Sequence, residues 1–220
     1  MVIYPHPDDE TMAAGGLLMA AKELGWKTIV VILTKGGAGQ IWCHPSGRSL
    51  KDLRATELER AAKILQINKV ILGDFDDGKL RQQKWTKWVN DQITKFDPGI
   101  VVTYDPSGMT GHPDHIISSV EVKKLIDKKT ILLWTSISPE LAKRIVNPKT
   151  TAYLSSPNYK LDLGFSWVTK WLAARAHASQ ALGKGFPIPL SLALAWQHYE
   201  WYHKVDLNKK YPYKFVEFKI

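Results

Sequence analysis

The sequence predicts an α/β chain with a Rossmann-like three-layer fold, a mostly parallel sheet flanked by helices. Three observations carry that expectation. Short apolar runs such as Thr28-Ile29-Val30-Val31-Ile32-Leu33 are β-branched and hydrophobic on both faces, as strands of a covered parallel sheet are. These runs alternate with stretches of helical periodicity, so successive strands are joined by right-handed crossovers. The 220 residues, 45% hydrophobic and 23% charged, suffice for one covered core and suggest neither disorder nor a fibre.

Taken in order, Val2-Ile3-Tyr4 reads as a short buried strand. Thr11 to Leu24 reads as a helix with Met12, Leu17, Leu18, Ala21 and Leu24 on one apolar stripe, stopped by Gly25. The strand Thr28 to Leu33 leads into a glycine-rich loop, Gly36-Gly37-Ala38-Gly39, read as an active-site rim because it lacks the lysine pattern of a phosphate loop. A helix from Leu50 to Leu65 and a strand from Lys69 to Leu72 follow. After the turn Asp76-Asp77-Gly78 comes a helix over Trp85 to Lys95, broken by Asp97-Pro98-Gly99, and then strand Ile100 to Tyr104. A helix after His115 and strand Ile131 to Trp134 continue the alternation. Beyond this the pattern is looser: a strand at Thr151 to Leu154, helices at Ser166 to Ala178 and Leu190 to Tyr202, and a terminal strand at Tyr211 to Ile220. Trp167, Trp171, Trp196 and Trp201 recur at helical spacing and read as helix packing. With no internal repeat and no low-complexity linker, residues 1–220 read as one domain.

Thirty basic residues against 21 acidic ones give a formal charge of +9, which favours phosphates, acidic sugars or anionic lipid surfaces. The lysines are scattered and accompany no reading motif, so no nucleic-acid partner is expected, while a membrane surface stays possible. A single cysteine excludes an intrachain disulfide. No apolar run approaches the roughly 20 residues of a membrane span. The chain therefore reads as cytoplasmic, or as membrane-associated or exported if a segment precedes Met1. The sequence leaves the oligomeric state open.

Two clusters carry the chemistry. Tyr4-Pro5-His6-Pro7-Asp8-Asp9-Glu10 follows the first strand, and Gly111-His112-Pro113-Asp114-His115 follows strand Ile100 to Tyr104. In an open parallel sheet, ligands bind outside the carboxyl ends of the strands, where these two loops can meet. Imidazole nitrogen and carboxylate oxygen suit zinc, whose catalytic sites take three protein ligands and keep one position for water. His6, Asp9 and His115 provide that count, with Asp8 beside them as a base. The competing reading is that Asp8, Asp9 and Glu10 cap the following helix, and for Glu10 that reading is preferred.

The phrases PHPDDETMAAGG and GMTGHPDHIIS resemble the two signature segments of the LmbE-like, or PIG-L, family of zinc-dependent N-deacetylases. RATELERAAKIL, DFDDGKL and ARAHASQ resemble its arginine-containing helix, aspartate-glycine turn and late histidine segment. The resemblance implies removal of an acetyl group from an N-acetylated amino sugar, sugar conjugate or glycolipid, with one zinc per chain held by His6, Asp9 and His115, and Asp8 as general base. It also implies that His112, when protonated, stabilises the developing oxyanion or acts as an acid, that Asp114 orients or tunes His112, and that Arg54 binds substrate. For Arg54 the alternative is a surface ion pair with Glu57. His177 reads as an orienting partner of the site or as helix-end packing. A metal-dependent phosphoesterase and a noncatalytic carbohydrate-binding relative are the alternative functions.

Overall fold

The computed structural model describes residues 1–39, 47–138, 154–180 and 198–208. Its seven strands form one sheet in the order β3-β2-β1-β4-β5-β7-β6. They are β1 (Val2–Tyr4), β2 (Ile29–Thr34), β3 (Lys69–Phe75), β4 (Ile100–Tyr104), β5 (Ile131–Ser136), β6 (Tyr159–Asp162) and β7 (Tyr199–Lys204). The five longer helices are α1 (Asp9–Glu23), α2 (Leu50–Ile64), α3 (Thr86–Phe96), α4 (Pro113–Leu125) and α5 (Ser166–Ala176). Strands β1 to β5 pair in parallel, whereas β7 runs antiparallel to both β5 and β6. The three-layer α/β reading therefore holds, with an antiparallel edge added to it.

Strand alternation divides the core. Val2, Tyr4, Val30, Ile32, Val102 and Tyr104 face one side and pack with Ala14 and Leu18 of α1, Leu58 of α2 and Ala173 of α5. Ile3, Val31, Leu33 and Val101 face the other, against Val89 of α3 and Ile117 and Val122 of α4. Burying each such aliphatic side chain stabilises the fold by roughly 1.5–3 kcal/mol. Gly73 lets β3 crowd β2, since a Cβ there would stand 2.4 Å from the Leu33 carbonyl oxygen, and the β2/β3 register shifts at this point.

Several boundaries and one element differ from the sequence reading. Helix α1 starts two residues early, and its buried face is Ala13, Ala14, Leu18 and Met19, with Leu24 left 65% exposed. The stripe is rotated because α1 packs simultaneously on the sheet and on α5 through Gly15 and Gly16, beside Lys170 and Glu200. The expected helix Leu190 to Tyr202 is overturned where it is described: Tyr199–Lys204 is a strand. There Glu200 and Tyr202 are buried at a period of two, which the recurring tryptophans obscured. Trp201 accordingly stands on β7, apart from Trp167 and Trp171 on α5. Residues 151–153 and 190–197, Trp196 among them, and the expected strand Tyr211 to Ile220 lie outside the described residues; Leu154 is not in a strand.

Candidate metal and active site

Strand β1 lies between β2 and β4, where the order of crossovers reverses, and the loops after β1 and β4 both open at the carboxyl edge there. They border a cavity of about 290 Å³ lined by His6, Asp8, Asp9, Arg54, Asp77, His112, His115 and Gln180. A wider crevice of about 550 Å³ lies at the opposite edge among Leu17, Trp26 and Phe96, and no histidine lines it.

The two loops bring His6, Asp9 and His115 together. His6 Nδ1 is 3.2 Å from His115 Nε2 and 3.5 Å from Asp9 Oδ2, and His115 Nε2 is 3.5 Å from Asp9 Oδ1. A tetrahedral zinc with bonds of about 2.0–2.1 Å separates its donors by roughly 3.3 Å, close to these spacings, with Asp9 meeting the two histidines through different oxygens. His6, His112 and His115 also bring nitrogens within 4.8 Å of one another. His6, Asp77 and Asp114 form another such group. His115 Nδ1 donates to the Gly108 carbonyl oxygen at 3.1 Å, leaving Nε2 bare towards Asp9. His6 Nε2 lies 2.9 Å from Asp77 Oδ1 and 3.5 Å from Asp114 Oδ2, so its Nδ1 is the nitrogen that faces Asp9 and His115.

Burial opposes charge throughout this cluster, yet partners override it. His6 is pushed well above the ordinary imidazole range against that burial by the carboxylates of Asp114, Asp77 and Asp9. Asp9 is also buried, but His115 and His6 hold it well below the usual carboxylate range. Asp77 falls to about 2, burial opposing and His6 prevailing. His115 drops to about 4 through burial and two neighbouring imidazoles.

Asp8 caps α1 with φ at 109°, a strained conformation for a residue bearing a side chain. Its amide donates to Glu10 Oε2 at 2.9 Å, while its carboxylate meets Arg54 Nη2 at 3.2 Å. Burial and the adjacent Asp9 raise the Asp8 carboxyl to about 6 despite Arg54. Arg54 is itself buried and donates to the carbonyls of Pro7 and Gly36. Gly36 leaves room for it, because a Cβ there would meet the guanidinium at 2.4 Å. Arg54 thus makes no surface pair with Glu57, whose carboxylate accepts from Ser179 instead.

His112 caps α4: its Nδ1 accepts from the Asp114 amide at 3.2 Å, which leaves Nε2 as the protonated nitrogen. Burial and nearby His6 lower its pKa. Asp114 uses its carboxylate on the amides of Gly78, at 2.7 Å, and Leu80, at 3.2 Å, and beside His6; its contact with His112 runs through its backbone. Glu10 is more than a cap. It is fully buried, accepts from Thr11 Oγ1, and pairs with His177 Nε2 at 2.8 Å, so His177 reaches the start of α1 through Glu10.

Three lining or supporting residues escaped sequence reasoning. Tyr104 donates to Asp9 Oδ1 at 2.7 Å, and its place at the carboxyl end of β4 was the available signal. Asp77 lies in the turn after β3, where ligand loops gather. Gln180 follows α5 and gave no signal beyond its closeness to His177.

Residues 1–126 match the family model described as PIG-L: GlcNAc-PI de-N-acetylase. The diacetylchitobiose deacetylase of Thermococcus kodakarensis is 30% identical over 191 residues, covering 82% of this chain and 69% of that protein. Matches to further curated relatives span 37% to 53% of those proteins. Among solved structures, the N,N'-diacetylchitobiose deacetylase of Pyrococcus horikoshii superimposes with a TM-score of 0.74 at 20% identity, covering 98% of this chain and 86% of that one. The 4-carboxy-2-hydroxymuconate hydratase GalB of Pseudomonas putida KT2440 does so with a TM-score of 0.67 at 19% identity, over 93% and 95% of the two chains. A hydratase and a deacetylase on one fold mean that the fold alone does not choose the reaction.

Proposed function

The chain belongs to the PIG-L, or LmbE-like, family, and on that premise we propose that it is a zinc-dependent hydrolase. It removes an acetyl group from an N-acetylated amino sugar or its conjugate, of the N-acetylglucosamine type, releasing acetate and a free amine. The observation that carries this reading is the meeting of His6 Nδ1, Asp9 and His115 Nε2 at 3.2 to 3.5 Å, with Asp8 next along the chain. Relatives named as deacetylases of chitobiose, of a glucosaminyl inositol and of a glucosaminyl phosphatidylinositol support the substrate class. Among the described residues no helix is long and apolar enough to cross a membrane, so a lipid-linked substrate would be met from outside the bilayer.

His6, Asp9 and His115 would hold the zinc, which would supply Lewis acidity and lower the pKa of a nearby water to about 7. Asp8 is the proton acceptor. Its carboxyl, raised to about 6, is ionised near neutrality yet basic enough to take a proton from the attacking water. Arg54 keeps that carboxylate turned into the cavity. Attack on the acetamide carbonyl develops negative charge on its oxygen, and the His112 Nε2–H donates to it from the far wall. Asp8 then returns its proton to the departing amine.

The test is zinc content together with amine release from a panel of N-acetylglucosamine derivatives. Asp8→Ala should keep its metal and lose turnover. Equal turnover in that variant would discard the base assignment, and phosphate release without amine release would replace the reading with phosphoester hydrolysis.

A further inference from the structure

Each candidate ligand has neighbours outside the set. Asp77 Oδ1 stands 2.9 Å from His6 Nε2, and the Gly108 carbonyl accepts from His115 Nδ1. The third partner differs, because Tyr104 touches two ligands at once. Its hydroxyl donates to Asp9 Oδ1 at 2.7 Å, and its ring stacks on His115 with centroids 4.2 Å apart and planes 16° from parallel. The opposite Asp9 oxygen accepts from the His6 amide at 2.8 Å, so the carboxylate plane is fixed at both ends while each oxygen keeps a lone pair for an ion. Tyr104 is only 3% exposed.

We propose that Tyr104 is a positioning residue for the metal, setting the Asp9 carboxylate and the His115 ring in ligand geometry before the ion arrives. The inference rests on the zinc reading above. Its basis is preorganisation: a carboxylate and an imidazole already ordered lose little freedom on binding, so the ion is held more tightly. Outer partners of this kind are worth about 10–100-fold in metal affinity. A core tyrosine that merely needed a hydrogen-bond acceptor would also sit here, but it would have no influence on the ion.

Tyr4 provides the control. It lies beside Tyr104 with ring centroids 4.7 Å apart, but its hydroxyl pairs with Thr135 and reaches no candidate ligand. The 220-residue chain, Tyr104→Phe and Tyr4→Phe are stripped of metal and titrated with zinc against a chelating dye. Tyr104→Phe keeps the stacked ring and loses only the hydroxyl. It should bind zinc about 10–100-fold more weakly, with turnover recovered by excess zinc, while Tyr4→Phe matches the parent. Equal zinc affinity in Tyr104→Phe and the parent would overturn the inference, as would an equal loss in Tyr4→Phe, which would assign the effect to core packing. A parent chain without zinc affinity would remove the metal reading itself, and this inference with it.

Discussion

Residues 1–125 and residues 131–208 share one sheet but do different work. In the first region the strands join in parallel, so the loops after β1, β3 and β4 open at the same edge and carry His6, Asp8, Asp9, Asp77, His112 and His115 to one cavity. The second region adds the antiparallel pair β7 and β6, whose contribution is support from behind. There Lys170 and Glu200 pair at 2.7 Å, Glu200 accepts the amides of Gly16 and Leu17, and His177 and Ser179 reach Glu10 and Glu57. Parallel crossovers gather reactive side chains; the antiparallel edge anchors the helices that carry them. The family match over residues 1–126 ends one strand before that architecture changes.

The comparison is broken most directly at the first region's centre. Asp8→Asn keeps the shape of the side chain but removes the base, and a fall in kcat of about 10²–10⁴-fold is expected with zinc retained, read by steady-state kinetics and metal analysis. On the second region's side, Lys170→Met removes the cation beside Glu200 in a site where both partners are 1–2% exposed, leaving Glu200 only its Gly16, Leu17 and Tyr202 donors. Urea denaturation should show a loss of about 3–5 kcal/mol, with turnover per folded molecule largely kept. If Lys170→Met instead abolished turnover without unfolding the chain, the division between chemistry and support would fail. Next in size, His112→Gln removes the Nε2–H donor, and kcat should drop about a hundredfold or more with the metal content unchanged.

The same division explains what was legible in the sequence. Buried parallel strands announce themselves as β-branched runs, and the histidine and aspartate clusters after β1 and β4 stand out because such residues are rare at strand ends. Asp77 and Tyr104 were not recognised, because an aspartate before a glycine reads as a turn and a tyrosine closing a strand reads as core. Their roles exist only once loops distant in sequence are brought together. Strand β7 was misread because Trp201 was grouped with Trp167, Trp171 and Trp196 as a helical recurrence, while the decisive alternation of Glu200 and Tyr202 depends on which neighbours bury them. Glu10 beside the helix start had a satisfactory local explanation as a cap, and its partner His177 lies 167 residues away.

The smallest effect expected is also the one that joins the two regions. His177 and Glu10 are both buried and paired, and that pair shifts their pKa values apart. Against the effect of burial, Glu10 raises His177 above 6.5 and His177 lowers Glu10 below 4.5. The imidazolium therefore contributes stability that is complete below pH 6.5 and fades as pH rises through the folded value of His177. The carboxylate contributes stability that is complete above pH 4.5 and fades as pH falls through the folded value of Glu10. The pair is fully effective between those limits and weakens on either side. His177→Gln should cost about 1–3 kcal/mol near pH 5.5, and the gap to the parent chain should narrow in alkaline buffer as the parent loses its imidazolium. Urea midpoints of the two chains across pH measure this. A gap that stayed constant would mean that His177 acts by packing alone, and that the second region supports Asp8 through shape rather than through charge.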